Sequence, residues 1–382
     1  MTAPGIIGLF PELLGVGGIQ EAGRLTVMAL HDIVANHGWR ADFLSLNDPP
    51  GLHSLVGSEA AIPFRGFGRA KARFALAGVR RAVSFDRDSA HIILAAHPNL
   101  AVPAGWMRRV SRRATVVVMA HGVEVWKALP PFRRRSLVRA SLVLAPSRDT
   151  ARKLSEIQGA PPERVRTLAW PLNPDFLRLA ETPSNLSLPP AFPSGKIVLT
   201  VGRWASSERY KGADELIRAV AELRPLVPDL HLVAVGGGND LPRLRELATG
   251  LGVADRVHFL EGLSREEIAA CYAGADLFAL PSTGEGFGLV FLEAMAFAKP
   301  VVGVACGGTT DVVQDGINGL LVPPHDGGAL ALVLRRLIQD DSLRAKLGQR
   351  GNAIVREKYA FRTFRNELES ILGDALRGST LD

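Results

Sequence analysis

Glu285 and Glu293 stand with seven residues between them in the run Glu285-Gly286-Phe287-Gly288-Leu289-Val290-Phe291-Leu292-Glu293. A carboxylate pair can do acid–base work, or it can accept hydrogen bonds from ligand hydroxyls. Gly284, Gly286 and Gly288 place the first carboxylate in a loop; the apolar Leu289, Val290, Leu292 and Met295 place the second inside a helix. A glutamate among such neighbours needs donors, which ligand hydroxyls would supply. A surface helix with an incidental glutamate is the alternative. Loop and helix together would grip two hydroxyl-bearing parts of one ligand, which points to a sugar nucleotide.

Other candidates follow strand-like runs. Arg203 comes after Val201-Gly202, and Lys211 comes just before Gly212. An Arg fork and a Lys point charge at the end of a strand suit a pyrophosphate, although a solvated basic loop would read the same way. Gly15-Val16-Gly17-Gly18 precedes a helix, so Gly17 and Gly18 could bring backbone N–H groups to an anion, or only turn the chain. Gly236-Gly237-Gly238 carries the same two readings. His121 follows Thr115–Met119 and can donate to a sugar hydroxyl or a phosphate; His97 has a similar address after Ile92–Ala95. The order is not G-x-G-x-x-G, and Asp48 is only a loose candidate for a ribose contact. Neither H-E-x-x-H nor a Cys/His cluster is present, so no metal site is expected.

The elements that must position these residues alternate. Strand expectations are Ile6–Phe10, Ala41–Leu46, Ile92–Ala95, Thr115–Met119 and Leu142–Ala145, then Ile197–Val201, Leu230–Val235, Val257–Leu260, Leu277–Ala279, Val301–Val304 and Leu320–Val322. Between them lie helices expected at Gln20–Asn36, Arg69–Ser84, around Leu137–Arg139, Arg148–Ile157, Ala213–Leu223, Leu241–Thr249, Arg265–Tyr272, Leu289–Ala296 and Ala329–Ile338, with a last one at Phe361–Leu376. Near-continuous apolar strands between helices predict parallel sheets covered on both faces. The proline-dense stretch Trp170–Ser194 predicts an irregular connection. The fold class is therefore α/β: two doubly wound, Rossmann-like domains at 1–175 and 195–360 facing a cleft, a linker at 176–194, and residues 361–382 packing back on the first domain.

Bulk properties bound the function. The 382 residues are 47% hydrophobic and 22% charged, ordinary for a globular protein. Two cysteines, Cys271 and Cys306, make a disulfide framework improbable and fit a reducing compartment. No signal peptide and no spanning apolar run is visible, so a cytoplasmic location is expected. Residues 1–180 hold 24 Lys+Arg against 13 Asp+Glu, and residues 181–382 hold 21 against 25. A basic first half could meet nucleic acid, an anionic membrane or an anionic substrate. Basic residues with apolar neighbours at Arg69–Arg81 and Trp106–Arg113 favour a membrane surface, a core-facing helix with a charged outer face being the alternative. No nucleic-acid recognition motif is present.

Taken together, the run Glu285–Glu293 resembles the E-x7-E motif of retaining glycosyltransferases with the GT-B fold, especially glycosyltransferase family 4. The resemblance extends through Gly17-Gly18, His121-Gly122, Gly202-Arg203…Lys211-Gly212, Gly236-Gly237-Gly238, Gly307-Gly308…Asp311 and Asp315-Gly316…Pro323. It implies that Arg203 and Lys211 bind the donor diphosphate, and that Glu285 holds the donor sugar with backbone at Phe287, Gly288 and Leu289. It further implies that Glu293 holds the ribose, that Gly18 helps cradle phosphate, and that His121 contacts the sugar. The implied reaction is retaining transfer of a hexose of mannose or glucose type from a nucleoside diphosphate to an acceptor hydroxyl. It would need no metal or cofactor, and would serve polysaccharide, glycolipid or cell-envelope glycan synthesis. GDP-mannose or a UDP-sugar would be the donor, and a sugar, a lipid-linked molecule or a small molecule the acceptor. Pro171-Leu172-Asn173-Pro174-Asp175 departs from the family's usual Asn-Gly-Val-Asp, Asp311 stands where Glu is common, and Ser206–Tyr210 lengthens the phosphate loop. A nonhydrolysing sugar-nucleotide epimerase shares the fold, and a nicotinamide oxidoreductase shares its doubly wound domains.

Overall fold

The computed structural model describes residues 4–56, 61–84, 90–111 and 113–378. Arg112 of the Trp106–Arg113 cluster and the tail beyond 378 lie outside them. The chain divides into two compact units: residues 1–171 with 361–382, and residues 172–360.

In the first unit the strands are β1 (Gly5–Phe10), β2 (Arg40–Ser45), β3 (Gly51–Val56), β4 (Ala61–Gly66), β5 (His91–Ala95), β6 (Ala114–Met119), β7 (Leu142–Ala145) and β8 (Val165–Thr167). They form one sheet in the order β3-β4-β2-β1-β5-β6-β7-β8. All its pairings are parallel except β3 with β4. Every residue of β1, β5 and β6 is buried, as expected for strands covered on both faces. The covering helices are α1 (Gly18–His37), α2 (Lys71–Ser84), α3 (Ala101–Val110), α4 (Pro131–Val138) and α5 (Arg148–Glu156). The C-terminal helix Phe361–Gly378 also belongs here; it buries Phe364, Leu368 and Leu372 and lies beside α1. Its ion pairs Arg365–Asp32 and His37–Glu369 tie it to α1.

The second unit has β9 (Lys196–Val201), β10 (Leu230–Val235), β11 (Val257–Leu260), β12 (Leu277–Leu280), β13 (Val301–Val304) and β14 (Gly319–Val322) in the order β11-β10-β9-β12-β13-β14. All pairings are parallel. Its helices are α6 (Pro174–Glu181), α7 (Ala213–Leu223), α8 (Leu241–Gly250), α9 (Arg265–Gly274), α10 (Leu289–Ala296), α11 (Thr309–Val312), α12 (Gly327–Gln339) and α13 (Asp341–Lys358). Two doubly wound parallel sheets are what the alternation predicts.

Four differences have local causes. The hairpin β3–β4 is not expected from the sequence because Pro63 interrupts the buried alternation of Ile62, Phe64 and Gly66. Pro63 is tolerated because β2 pairs only with Arg65 and Gly66, leaving no partner for the missing N–H. Arg69 has φ of 70°, so α2 begins at Lys71 rather than at Arg69. The stretch expected to be irregular contains α6: Pro174 sits in its first turn, where no N–H is needed, and the Asn173 side chain accepts from Asp175 N. Residues 172–194 accordingly fall within the second unit. Helix α13 escapes sequence reading because Gly348 and Gly351 interrupt its pattern. A Cβ at Gly348 would lie 1.9 Å from the Ala298 carbonyl oxygen, so a bare backbone is what lets α13 lie close against the end of α10.

Candidate active site

The residues singled out in the sequence divide between the two units. Arg203, Lys211, Gly236, Gly237, Glu285, Phe287, Gly288, Leu289 and Glu293 are in the second; Gly17, Gly18, His97 and His121 are in the first.

In the second unit, β9 ends at Val201 and the chain passes through Gly202 and Arg203 into a 3-10 turn at Ser206–Lys211. The Gly236–Asp240 loop clamps that turn. Ser206 N donates to Asn239 Oδ1 at 2.9 Å, and Asp240 N donates to the Trp204 carbonyl at 2.9 Å. A Cβ at Gly236 would meet the Gly202 carbonyl oxygen at 2.0 Å, so this glycine serves the packing of the two strand ends. Beneath the clamp, Arg243 reaches both Asp214 oxygens at 2.7 Å and also holds Asp240, which in turn takes Arg209 at 3.1 Å. The hydrogen bonds from Arg243 hold the carboxyls of Asp214 and Asp240 below the usual range. Residue type and spacing do not reveal this network, since its members are scattered from Arg209 to Arg243.

On this scaffold stand the two candidate diphosphate cations. Lys211 is 18% exposed, and burial lowers its ammonium pKa, opposed by the nearby Glu285. Arg203 is 71% exposed. Between them lies Glu208, a residue the sequence reading passed over: its carboxylate contacts Arg203 and takes Lys211 Nζ at 3.0 Å.

Glu285 follows β12 through Pro281–Gly284. Its main chain is pinned by Gly308, whose N–H donates to the Glu285 carbonyl at 2.8 Å. Oε1 of Glu285 is buried with no hydrogen-bond partner. Burial raises this carboxyl's pKa against the opposing pull of Lys211 and a hydrogen bond from Ser282. An ionisable acceptor held in this state is costly unless a donor arrives. Gly288, with φ of 98°, starts α10 without any capping side chain, so Leu289 opens a helix whose first-turn N–H groups lack a side-chain acceptor. Glu293 lies in the second turn, where Tyr272 donates to its Oε2 at 2.8 Å. A protein hydroxyl therefore supplies a donor that the sequence reading gave wholly to ligand.

In the first unit, His121 follows β6. Its N–H donates to Glu124 Oε1 at 2.5 Å, and its Nε2 faces the Ala96 carbonyl at 2.8 Å. A carbonyl only accepts, so Nε2 carries a proton, and Nδ1 is the ring atom that remains to meet a ligand. The ring stacks on Trp170 (centroids 5.4 Å, 12° between planes) and on His97 (5.8 Å). Trp170 in turn meets Phe364 of the C-terminal helix at 5.8 Å. Burial, with His121 beside it, pulls His97 down to about 4, so it is neutral at pH 7. The Gly15–Gly18 turn opens α1, and Gly17 offers no capping side chain. Asp48 is not available to a ribose: its carboxylate accepts from Leu13 N at 2.7 Å, Leu14 N at 3.0 Å and Ser45 Oγ at 2.5 Å, and so fastens the segment before that turn.

Comparison with known proteins decides among the readings. The family described as Glycosyl transferases group 1 matches residues 189–353, and Glycosyltransferase Family 4 matches residues 25–176. A D-inositol 3-phosphate glycosyltransferase of Mycobacterium marinum is 31% identical over 97% of this chain and 85% of its own. The chain belongs to glycosyltransferase family 4. A GDP-mannose-dependent alpha-(1-6)-phosphatidylinositol monomannoside mannosyltransferase of Mycolicibacterium smegmatis is 33% identical over 71% of this chain and 74% of its own. The crystal structure of Anabaena Alr3699/HepE in complex with UDP superposes with a TM-score of 0.71 at 22% identity, covering 97% of this chain and 99% of that one. This family 4 member is an enzyme of the hexosyltransferase class with a GT-B fold that uses a nucleotide sugar. Both the epimerase and the oxidoreductase are thereby set aside.

Proposed function

We propose that this glycosyltransferase moves a hexose of mannose or glucose type from GDP-mannose or a UDP-sugar to an acceptor hydroxyl, with retention and without a bound metal. The observation that carries the reading is the buried, unpartnered Oε1 of Glu285 beside Lys211. A sugar hydroxyl would satisfy it, and the diphosphate attached to that sugar would lie against Lys211 and Arg203. As the glycosidic bond breaks, negative charge grows on the departing diphosphate. The two cations and the first-turn N–H groups of α10 oppose it, which is the stabilisation a preorganised site supplies best. Attack by the acceptor hydroxyl on the same face as departure, through an ion-pair-like state and with its proton passing to the departing diphosphate oxygen, gives retention with no covalent enzyme intermediate. Glu293, whose Oε2 accepts from Tyr272, takes the ribose hydroxyls, and His121 contacts a sugar hydroxyl.

The acceptor side is read as anionic or membrane-borne. Helix α2 buries Phe74, Gly78 and Ala82 and exposes Lys71, Arg73, Leu76, Arg80, Arg81 and Val83. Helix α3 exposes Trp106 (49%), Arg108 and Arg109. Trp106, Arg108, Arg109 and Arg139 line a groove of about 340 Å³. Cationic side chains around exposed apolar ones suit phosphate-bearing headgroups. Among the described residues no helix is long and apolar enough to cross a membrane; the attachment proposed is peripheral, at a cytoplasmic face. Both mycobacterial-type relatives named above have phosphorylated inositol acceptors in their names, which supports an acceptor of that charge.

The test is incubation of the protein with GDP-mannose and with UDP-glucose, each with inositol 3-phosphate and with phosphatidylinositol vesicles, in EDTA, followed by proton NMR. The expected result is an α-linked product formed from one donor. Release of free sugar alone, a β-linked product, or activity only after a divalent metal is restored would overturn the corresponding part of the reading.

A further inference from the structure

Glu208 has no part in the function argued so far, yet its carboxylate holds both cations assigned to the diphosphate. One of its oxygens faces Arg203 and the other faces Lys211. That is the two-point pattern a phosphate would offer the same pair. The glutamate is well shielded, at 11% exposure, and sits where the 3-10 turn is interrupted: its φ of −122° and ψ of 28° depart from helical values. Arg203 by contrast is mostly exposed.

Charge makes the arrangement incompatible with a bound donor. Counted at their ordinary charges, two cations, Arg203 and Lys211, face two carboxylates, Glu208 and Glu285, and balance. The diphosphate of a nucleotide sugar adds about two negative charges at neutral pH, and the freed nucleoside diphosphate more. With Glu208 still in place those charges would meet a shielded carboxylate at close range, with no cation left over. Glu208 must leave for the diphosphate to enter, and it returns to the same two cations when the diphosphate goes. The rest of the turn is fastened to the sugar-holding loop: Thr283 N donates to the Tyr210 carbonyl at 2.9 Å, and the Tyr210 ring packs against Gly284. Exchange at Glu208 is therefore felt one residue from Glu285.

We propose that Glu208 is a built-in counter-anion that the donor diphosphate displaces, and that it sets donor affinity and speeds release of the spent nucleoside diphosphate. The proposal rests on the donor reading given above. It assigns Glu208 to neither sugar nor acceptor; the residue acts only through the cations.

The experiment is calorimetric titration of the full chain with GDP, UDP and inorganic pyrophosphate, for wild type, Glu208→Gln and Glu208→Asp, alongside steady-state kinetics. The expected result is that Glu208→Gln binds the nucleotide used by the enzyme at least ten-fold tighter, binds pyrophosphate tighter in step, and lowers both KM and kcat as release becomes limiting. Glu208→Asp, too short to reach both cations, moves in the same direction by less, and serves if the amide variant folds poorly. Equal or weaker binding in the variants, with the wild type binding normally, overturns the role of Glu208 alone. A wild type that binds none of the three ligands overturns the donor reading and this proposal with it.

Discussion

The two units build their candidate sites by opposite means. In the second, position is fixed by charge: Arg243 holds Asp214 and Asp240, Asp240 holds Arg209, and Glu208 spans Arg203 and Lys211. In the first, position is fixed by stacked rings, with His121 between His97 and Trp170 and with Trp170 against Phe364. A charge-held site suits a ligand whose own charge is large and grows during reaction. A ring-held imidazole, its Nε2 spent on Ala96, suits a neutral hydroxyl. On the proposed reading, a diphosphate and a neutral hydroxyl call for different supports: an ionic network for the first, an aromatic stack for the second.

The sharpest way to break the comparison is Lys211→Ala. If charge is what the second unit contributes, single-turnover transfer falls by about 10²–10³-fold, the equivalent of roughly 2.7–4 kcal/mol, while the unliganded melting temperature changes little. Quench-flow with radiolabelled donor measures the first, and calorimetry the second.

Next in size is the acid response of the ring stack. The folded value of His97, about 4, lies below the ordinary 6.5, so the unfolded chain takes up a proton first as pH falls. Stability from this residue is complete above pH 6.5 and is lost between there and pH 4. At about 1.4 kcal/mol per unit, up to roughly 3 kcal/mol is at stake. Urea unfolding of His97→Gln should show a flatter pH profile than wild type across that window; parallel profiles would sink the idea.

Arg243→Met removes the main partner of two carboxylates, leaving Asp240 with Arg209 and Asp214 with Arg218, and should destabilise the second unit by roughly 2–3 kcal/mol at neutral pH. Asp214 and Asp240 have lowered values, so their contribution is present above the ordinary carboxylate range and lost below it. The deficit of the variant should therefore shrink below about pH 4. A constant deficit would mean that Arg243 acts by packing alone.

The smallest effect has the opposite sign. Burial raises the carboxyl pKa of Glu285, so its charge costs the fold stability once pH exceeds the ordinary carboxylate range. Glu285→Gln should raise the melting temperature by a few degrees at pH 7 while transfer is lost, as expected where function is held at the expense of stability. A fall in melting temperature would show that the carboxylate is already satisfied without ligand.

Most of the fold was legible because parallel strands buried on both faces leave unbroken apolar runs: β7, β10, β11 and β13 lie where their runs predict. What hid were elements with contradictory local signals, such as β4 with Pro63, α6 behind Pro174 and α13 with its two glycines, all decided by neighbours distant in sequence. Of the candidate site, residue type and spacing singled out Arg203, Lys211, Glu285 and Glu293, and the structure brings Lys211 near Glu285. The site was not legible where partners come from elsewhere. Tyr272 reaches Glu293 from another helix, Trp170 was read only as the start of a connection, and Asp48, placed at the end of a strand like a ribose ligand, is spent on backbone N–H groups. Glu208 was adjacent to known candidates, yet only the fold brings its carboxylate between the two cations.

The central claim is that the segments around Lys211 and Glu285 grip the nucleotide sugar. Amide hydrogen exchange on the full chain, with and without saturating donor, tests it most directly. The account predicts added protection at Gly202–Gly212 and at Ser282–Phe291, and loss of both when Lys211 is replaced by alanine. Donor binding that leaves those two segments unprotected would contradict it.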